Sequence, residues 1–170
     1  MALKQTSQTI VISQSVTESA ANTFTSQEVS LQLNPLDNEV FLVTGLNLDP
    51  DAPDSVAGVS TTVNASLLTT QRTDVGSIAD SNVLGAARTQ IVTNGAMTPD
   101  GGIPFVREDP LYTPQDGSYL GIIATNDFYI NIEGVNNGNP KICRARITGV
   151  RAKADSATYA ALVNSELLSA

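Results

Sequence analysis

The residues able to do chemistry are few and scattered. Cys143 is the single cysteine and sits among Lys141, Arg144 and Arg146, cations that favour a thiolate and therefore a nucleophile. Its alternation with Ala145, Ile147 and Gly149 places it on the apolar side of a strand, where a thiol serves as a small hydrophobe. Asp49, Asp51 and Asp54 offer the carboxylate oxygens that Ca²⁺ takes. They lack the EF-hand spacing and its bidentate Glu, and Pro50 and Pro53 mark the run as a loop. These three are the weak metal candidates, and no cofactor is expected. Glu108 and Asp109 are neighbours in sequence and read as solvated loop residues, since a glycosidase pair must face each other in space. Gly101-Gly102 is not a phosphate loop, because no strand leads into it and no Gly-Lys-Ser/Thr follows. Tyr112, Tyr119, Phe128 and Tyr129 could stack on sugars or bases, but with only four Tyr, four Phe and no Trp they read as core and contact anchors.

Histidine is absent, which removes Ser-His-Asp and Cys-His relays and every His-ligated metal centre. One cysteine permits neither an internal disulfide nor a CxxC zinc site. No catalytic residue and no small-molecule substrate are expected, and the chain reads as a non-enzyme.

The elements that must carry these residues follow from composition and pattern. Of 170 residues 41% are apolar, enough for one domain with a real core. Only 15% are charged, against roughly 25% in a typical soluble domain. The polar surface is instead 18 Thr, 15 Ser and 13 Asn, residues suited to pleated surfaces and tight turns. The formal charge of −8 divides unevenly. Residues 1–140 hold four cations against fifteen acids, whereas Lys141, Arg144, Arg146, Arg151 and Lys153 face only Asp155 and Glu166 in 141–170. The acidic body disfavours nucleic acid, so any weak contact with nucleic acid or an inner membrane falls to 141–153. The alternative is that these five cations are solvated or ion-paired. No signal peptide or transmembrane run is visible.

Residues 1–28 read as an N-terminal arm or first strand, with a β-prone island at Thr9 to Ile12. Val29, Leu31 and Leu33 alternate with polar residues as a half-buried strand requires. Glu39 to Leu48 is apolar without a helical stripe and reads as a central strand covered on both faces. Val59 to Thr70 alternates again. Ser77 to Ala87 fits a short helix or a long loop, Thr89 to Thr93 a short strand ending at Asn94-Gly95, and 97–118 a crossing punctuated by Pro99, Pro104, Pro110 and Pro114. Tyr119 to Ala124 and Phe128 to Glu133 suggest a hairpin, and Ile142 to Lys153 is the last strand. Asp155 or Ser156 caps a closing helix whose Tyr159, Leu162, Val163 and Leu167 form an apolar stripe. About eight short strands with Gly/Pro/Asn turns and no βαβ alternation predict an all-β antiparallel sandwich with a short C-terminal helix. The sandwich spans 29–155 and the helix 156–170.

This acidic, Thr/Asn-rich chain of about eight strands, with a polar N-terminal stretch and a terminal helix, resembles the single jelly-roll capsid proteins of tailless icosahedral viruses. The resemblance implies two four-stranded sheets face to face and protomers packed side by side in a shell. The partners it implies are copies of the chain and other capsid proteins, with the product made in host cytoplasm and resident in the virion. It also implies that terminal elements lock neighbours together, here Ile10 and Ile12 and the helix residues Tyr159, Leu162 and Val163. Removing residues 1–28 is then expected to leave a folded chain that cannot assemble. One departure is plain: the only charges in 1–28 are Lys4, Glu18 and Glu28, so no basic arm meets the genome. The competing class is a carbohydrate-binding or adhesion module using the Asp49 to Asp54 loop with Ca²⁺. The cupin enzymes that share the jelly roll need histidine ligands, which this chain lacks.

Overall fold

Strand pairing links residues far apart in sequence, and it makes two antiparallel sheets. The structure, a computed structural model, describes residues 3–93 and 118–169. The Asn94-Gly95 turn, most of the proline-rich crossing, Glu108-Asp109, Gly101-Gly102 and Tyr112 lie outside the described residues. The strands are β1 (Lys4–Gln5), β2 (Ile10–Thr17), β3 (Thr25–Ser30), β4 (Glu39–Pro50), β5 (Thr61–Leu68), β6 (Val83–Ile91), β7 (Gly121–Ile123), β8 (Asp127–Val135) and β9 (Ile142–Lys153), followed by helix α1 (Ser156–Leu168). In the larger sheet β1 and β2 both pair with β9, which pairs with β4, which pairs with β7; the smaller sheet runs β3-β8-β5-β6.

Because β1 and β2 lie end to end along β9, they count as one strand of eight. First then pairs with last (β2 with β9), second with seventh (β3 with β8), third with sixth (β4 with β7) and fourth with fifth (β5 with β6). That nesting is one long hairpin rolled over on itself, which is the jelly roll, and the all-β sandwich expected from the strand pattern is what the chain forms.

Between the sheets lie Phe41, Leu46, Leu67, Phe128, Ile130, Ile132 and Ile147, each at most 1% exposed. Burying a side chain of this size is worth about 1.5–3 kcal/mol relative to leaving it in water. In β4 the inward set changes parity, from Phe41 and Val43 to Leu46 and Leu48. The register shifts between Val43 and Gly45, so Thr44 is the extra residue of a bulge that keeps the apolar side chains inward. That bulge explains why β4 showed no clean alternation. Gly149 sits opposite Val43 because a Cβ there would strike the Leu42 carbonyl and the Phe41 ring.

Helix α1 covers half of the outer face of the larger sheet. Asp155 caps it, its carboxylate accepting from the Thr158 amide at 2.8 Å. Tyr159, Leu162 and Val163 pack over Val40, Leu42, Ile122 and Ala152. The fourth member of the stripe is Glu166, 8% exposed, rather than Leu167, 61% exposed, because i+7 lies closer to the seam than i+8. Glu166 turns its oxygens to the amides of Ala124 (2.8 Å) and Thr125 (2.9 Å).

Three local expectations are corrected. The strand at 39–48 is covered on both faces only where α1 lies on Val40 and Leu42, while Asn47 and Asp49 stand exposed beyond the helix. Ser77 to Ala87 is neither helix nor continuous loop, since β6 begins at Val83. The preceding loop lies on β5 and β8, where Asn131 donates to the Asp74 carbonyl, so Ser66 and Leu68 are buried on the outer side. Tyr119 to Glu133 is not a hairpin, because β7 pairs with β4 and β8 with β3 and β5. Thr125-Asn126 carries the chain between the sheets.

Candidate interaction surfaces

The cations of residues 141–153 are largely consumed within the molecule. Lys141 Nζ contacts Asp54 Oδ1 at 2.5 Å and donates to the Ala52 carbonyl at 3.0 Å. Arg144 pairs with Asp51 (2.8 Å), Arg151 with Glu39 (3.0 Å) and Lys153 with Asp37 (2.8 Å). The acids come from β4 and its flanking turns, so the neighbour of β9 in the sheet supplies the neutralising charge. Arg146 is the exception, with no ion-pair partner among the described residues. The register sets it between Ser13 of β2 and Asn47 of β4, on the half of the outer face that α1 leaves bare. Ser13, Ser15, Asn47, Asp49, Arg144 and Arg146 line a shallow recess there of about 510 Å³.

The same pairs engage two of the three calcium candidates. Asp54 accepts from the Gly138 and Asn139 amides as well as from Lys141, and Asp51 accepts from the Ile142 amide as well as from Arg144. Each of their oxygens already accepts from a protein donor, and Asp49 stands apart on the exposed side of β4. Among the described residues no three His, Cys, Asp or Glu are grouped to hold a metal.

The hydrogen bond from Lys153 holds the Asp37 carboxyl below its ordinary value of 3.8, and that from Lys141 does the same for Asp54. A lowered folded value means stability that is present above 3.8 and withdrawn as the pH falls through the folded-state values. Burial acts oppositely on Glu166, holding it above its ordinary 4.5 despite the two amides it accepts from, so its contribution is lost as pH rises through the raised value. The urea midpoint is expected to drop below about pH 4, and a midpoint unchanged down to pH 2 would contradict these pairings.

Cys143 is fully buried, and that burial pushes its thiol up to about 12 despite Arg144 beside it. It is a packing residue. The native protein at pH 8 is expected to leave a disulfide reagent unreacted for hours while the urea-unfolded chain reacts with one equivalent; rapid native reaction would overturn this placement.

Ile10 and Ile12 pair with Gly149 and Ile147 and pack against the core, so β2 turns Val11, Ser13 and Ser15 outward instead. Tyr159, Leu162 and Val163 lie on the sheet of their own chain, half-buried. Glu18 counts in the sequence only as one of three charges in residues 1–28, with no role attached. It is 3% exposed and accepts from the amides of Thr23, Gly134 and Lys141, tying three connections at one end of the sandwich. A single Glu between Thr17 and Ser19 carries no sequence signal of such a role. Among the described residues no helix is long and apolar enough to cross a membrane.

No family model and no curated protein matches the sequence. Among solved structures the chain is similar to an unassembled VP1 pentamer mutant of Washington University polyomavirus, at 9% identity over 91% of this chain and 97% of that chain, with a TM-score of 0.47. It is also similar to Desmodium yellow mottle tymovirus, at 12% identity over 88% of this chain and 91% of that chain, with a TM-score of 0.30. The jelly-roll assignment rests on the strand order and register of this chain, to which these distant likenesses add nothing.

Proposed function

We propose that the chain is a structural virion protein that self-assembles, alone or with other capsid proteins, into an icosahedral shell. The fold admits three broad uses, as lectin-type module, cupin or capsid subunit. Fold by itself does not choose among them, so the choice rests on sites. A cupin needs histidines, and none exist. A calcium-dependent binding module needs free carboxylates in the Asp49 to Asp54 loop, and Asp51 and Asp54 are committed to Arg144 and Lys141.

The observation that carries the capsid reading is the neutral surface. Charged residues are 15% of the chain, and most of those around β9 are paired internally. Exposed Ser, Thr and Asn can be desolvated against a neighbour for about 1–3 kcal/mol each when left unbonded, whereas an unpaired ion costs several. Such a face suits packing against copies of itself.

A contact with packaged nucleic acid or an inner membrane through 141–153 reduces to Arg146, with Arg144 beside it, and so would be weak and strongly salt-dependent. Sedimentation of the purified chain over a concentration series tests the reading: a sharp threshold above which megadalton species appear supports it. A 17.8 kDa monomer at every concentration and salt overturns it.

A further inference from the structure

An open sheet edge is a row of unpaired amides and carbonyls ready to pair with another chain, and folded proteins blunt such edges with charge, proline or shortness. Among the described residues this sandwich has four edges. On the smaller sheet β3 carries Glu28 and β6 carries Arg88; on the larger sheet β7 is only three residues long. The fourth edge, β2, is different. It runs eight residues, Ile10 to Thr17, with no charge and no proline, and among the described residues it pairs on one side only, with β9. Its outward face presents Val11, 57% exposed, with Ser13 and Ser15.

We infer that β2 is the edge through which two copies of this chain join, antiparallel across a two-fold axis at Ser13, so that their larger sheets become one. The occupant is a second copy because a two-fold contact sets each residue near its own duplicate, which penalises a charged strand and leaves an uncharged one untouched. Parity fixes the register. Outward residues must meet outward residues, so the axis passes through a residue rather than between two. An axis at Ser13 places Ser13 opposite its duplicate, Val11 opposite Ser15 and Ile10 opposite Val16, within the strand as it stands. An axis one residue on would bring Ile10 opposite Glu18, which is buried in its own bonds.

One strand pair is smaller than the roughly 800 Å² per partner of a stable isolated dimer, so the contact is weak alone and acts when many neighbours add to it. The inference thus rests on the shell reading for its effect, though not for its geometry.

Two measurements test it. Ser13→Lys and Ser13→Glu are each expected to raise the concentration needed for assembly at least tenfold, and an equimolar mixture is expected to restore it, since Lys then faces Glu across the axis. Under mild oxidation Ser13→Cys is expected to give a covalent dimer. Val11→Cys and Ser15→Cys are expected to do so only when mixed, while buried Cys143 stays silent. Both charge variants assembling like the parent, with no Ser13→Cys dimer, would overturn the edge pairing and leave the shell reading standing. A parent chain that never assembles, with Ser13→Cys still forming the dimer, would overturn the shell reading and leave the edge pairing standing.

Discussion

Replacing Glu18 by Ala is expected to lower the unfolding free energy by about 3–5 kcal/mol, because it strips the acceptor from two buried amides and a half-buried one at once. Gly134 donates to Oε1 at 2.6 Å, Thr23 to Oε1 at 3.2 Å and Lys141 to Oε2 at 2.8 Å. A methyl group reaches none of them, and each orphaned buried donor costs about 1–3 kcal/mol. The site is fitted to a carboxylate: a Cβ on Gly134 would press on the Asn137 amide and come within 3.2 Å of both Glu18 oxygens. Glu18→Gln keeps one acceptor oxygen but points an NH₂ group at an N–H, so an intermediate loss is expected. Urea unfolding checks both, with the slope unchanged if only the native state is affected. A loss under about 1 kcal/mol for Glu18→Ala would contradict the bonding described.

Deleting residues 1–28 is expected to abolish cooperative folding, contrary to the expectation of a folded but assembly-incompetent chain. The deletion removes β1, β2 and the Thr25–Glu28 part of β3, and with them Glu18. It bares the whole flank of β9 and takes Val16, 3% exposed, together with Ile10 and Ile12 from the core. A domain of this kind has about 5–15 kcal/mol of stability in total, less than the combined loss of an edge strand, part of its neighbour and the carboxylate that ties the loops. Circular dichroism through a thermal ramp should show no sigmoidal transition. A transition close to that of the parent would show that residues 1–28 are an appendage after all.

These two cases mark where the sequence was legible. β9 was readable because Cys143, Ala145 and Ile147 are buried at every second position between exposed arginines. The terminal helix was readable because Asp155 precedes a spaced apolar set, although the stripe was misjudged by one position at Glu166. Pairing was not readable. β2 meets β9 across more than a hundred residues, and nothing local distinguishes an arm from an edge strand whose outward half is Ser and Thr. The supposed hairpin of β7 and β8 failed for the same reason: adjacency in sequence is no guide when the turn passes from one sheet to the other. The basic run at 141–153 was visible as composition. Its neutralisation by Asp37, Glu39, Asp51 and Asp54 depends on β4 lying beside β9, which only the fold supplies. The low charge count takes on its meaning because four of the five cations at 141–153 are paired within the chain.

The central claim is that this jelly roll is a subunit whose work is to pack against its own kind. Electron microscopy of the purified chain, concentrated at neutral pH and examined by negative stain, tests it most directly. Closed particles of uniform diameter, with five-fold and three-fold views among the class averages, are the predicted result. A field of single 17.8 kDa molecules, or of irregular aggregates without a repeating contact, would contradict it.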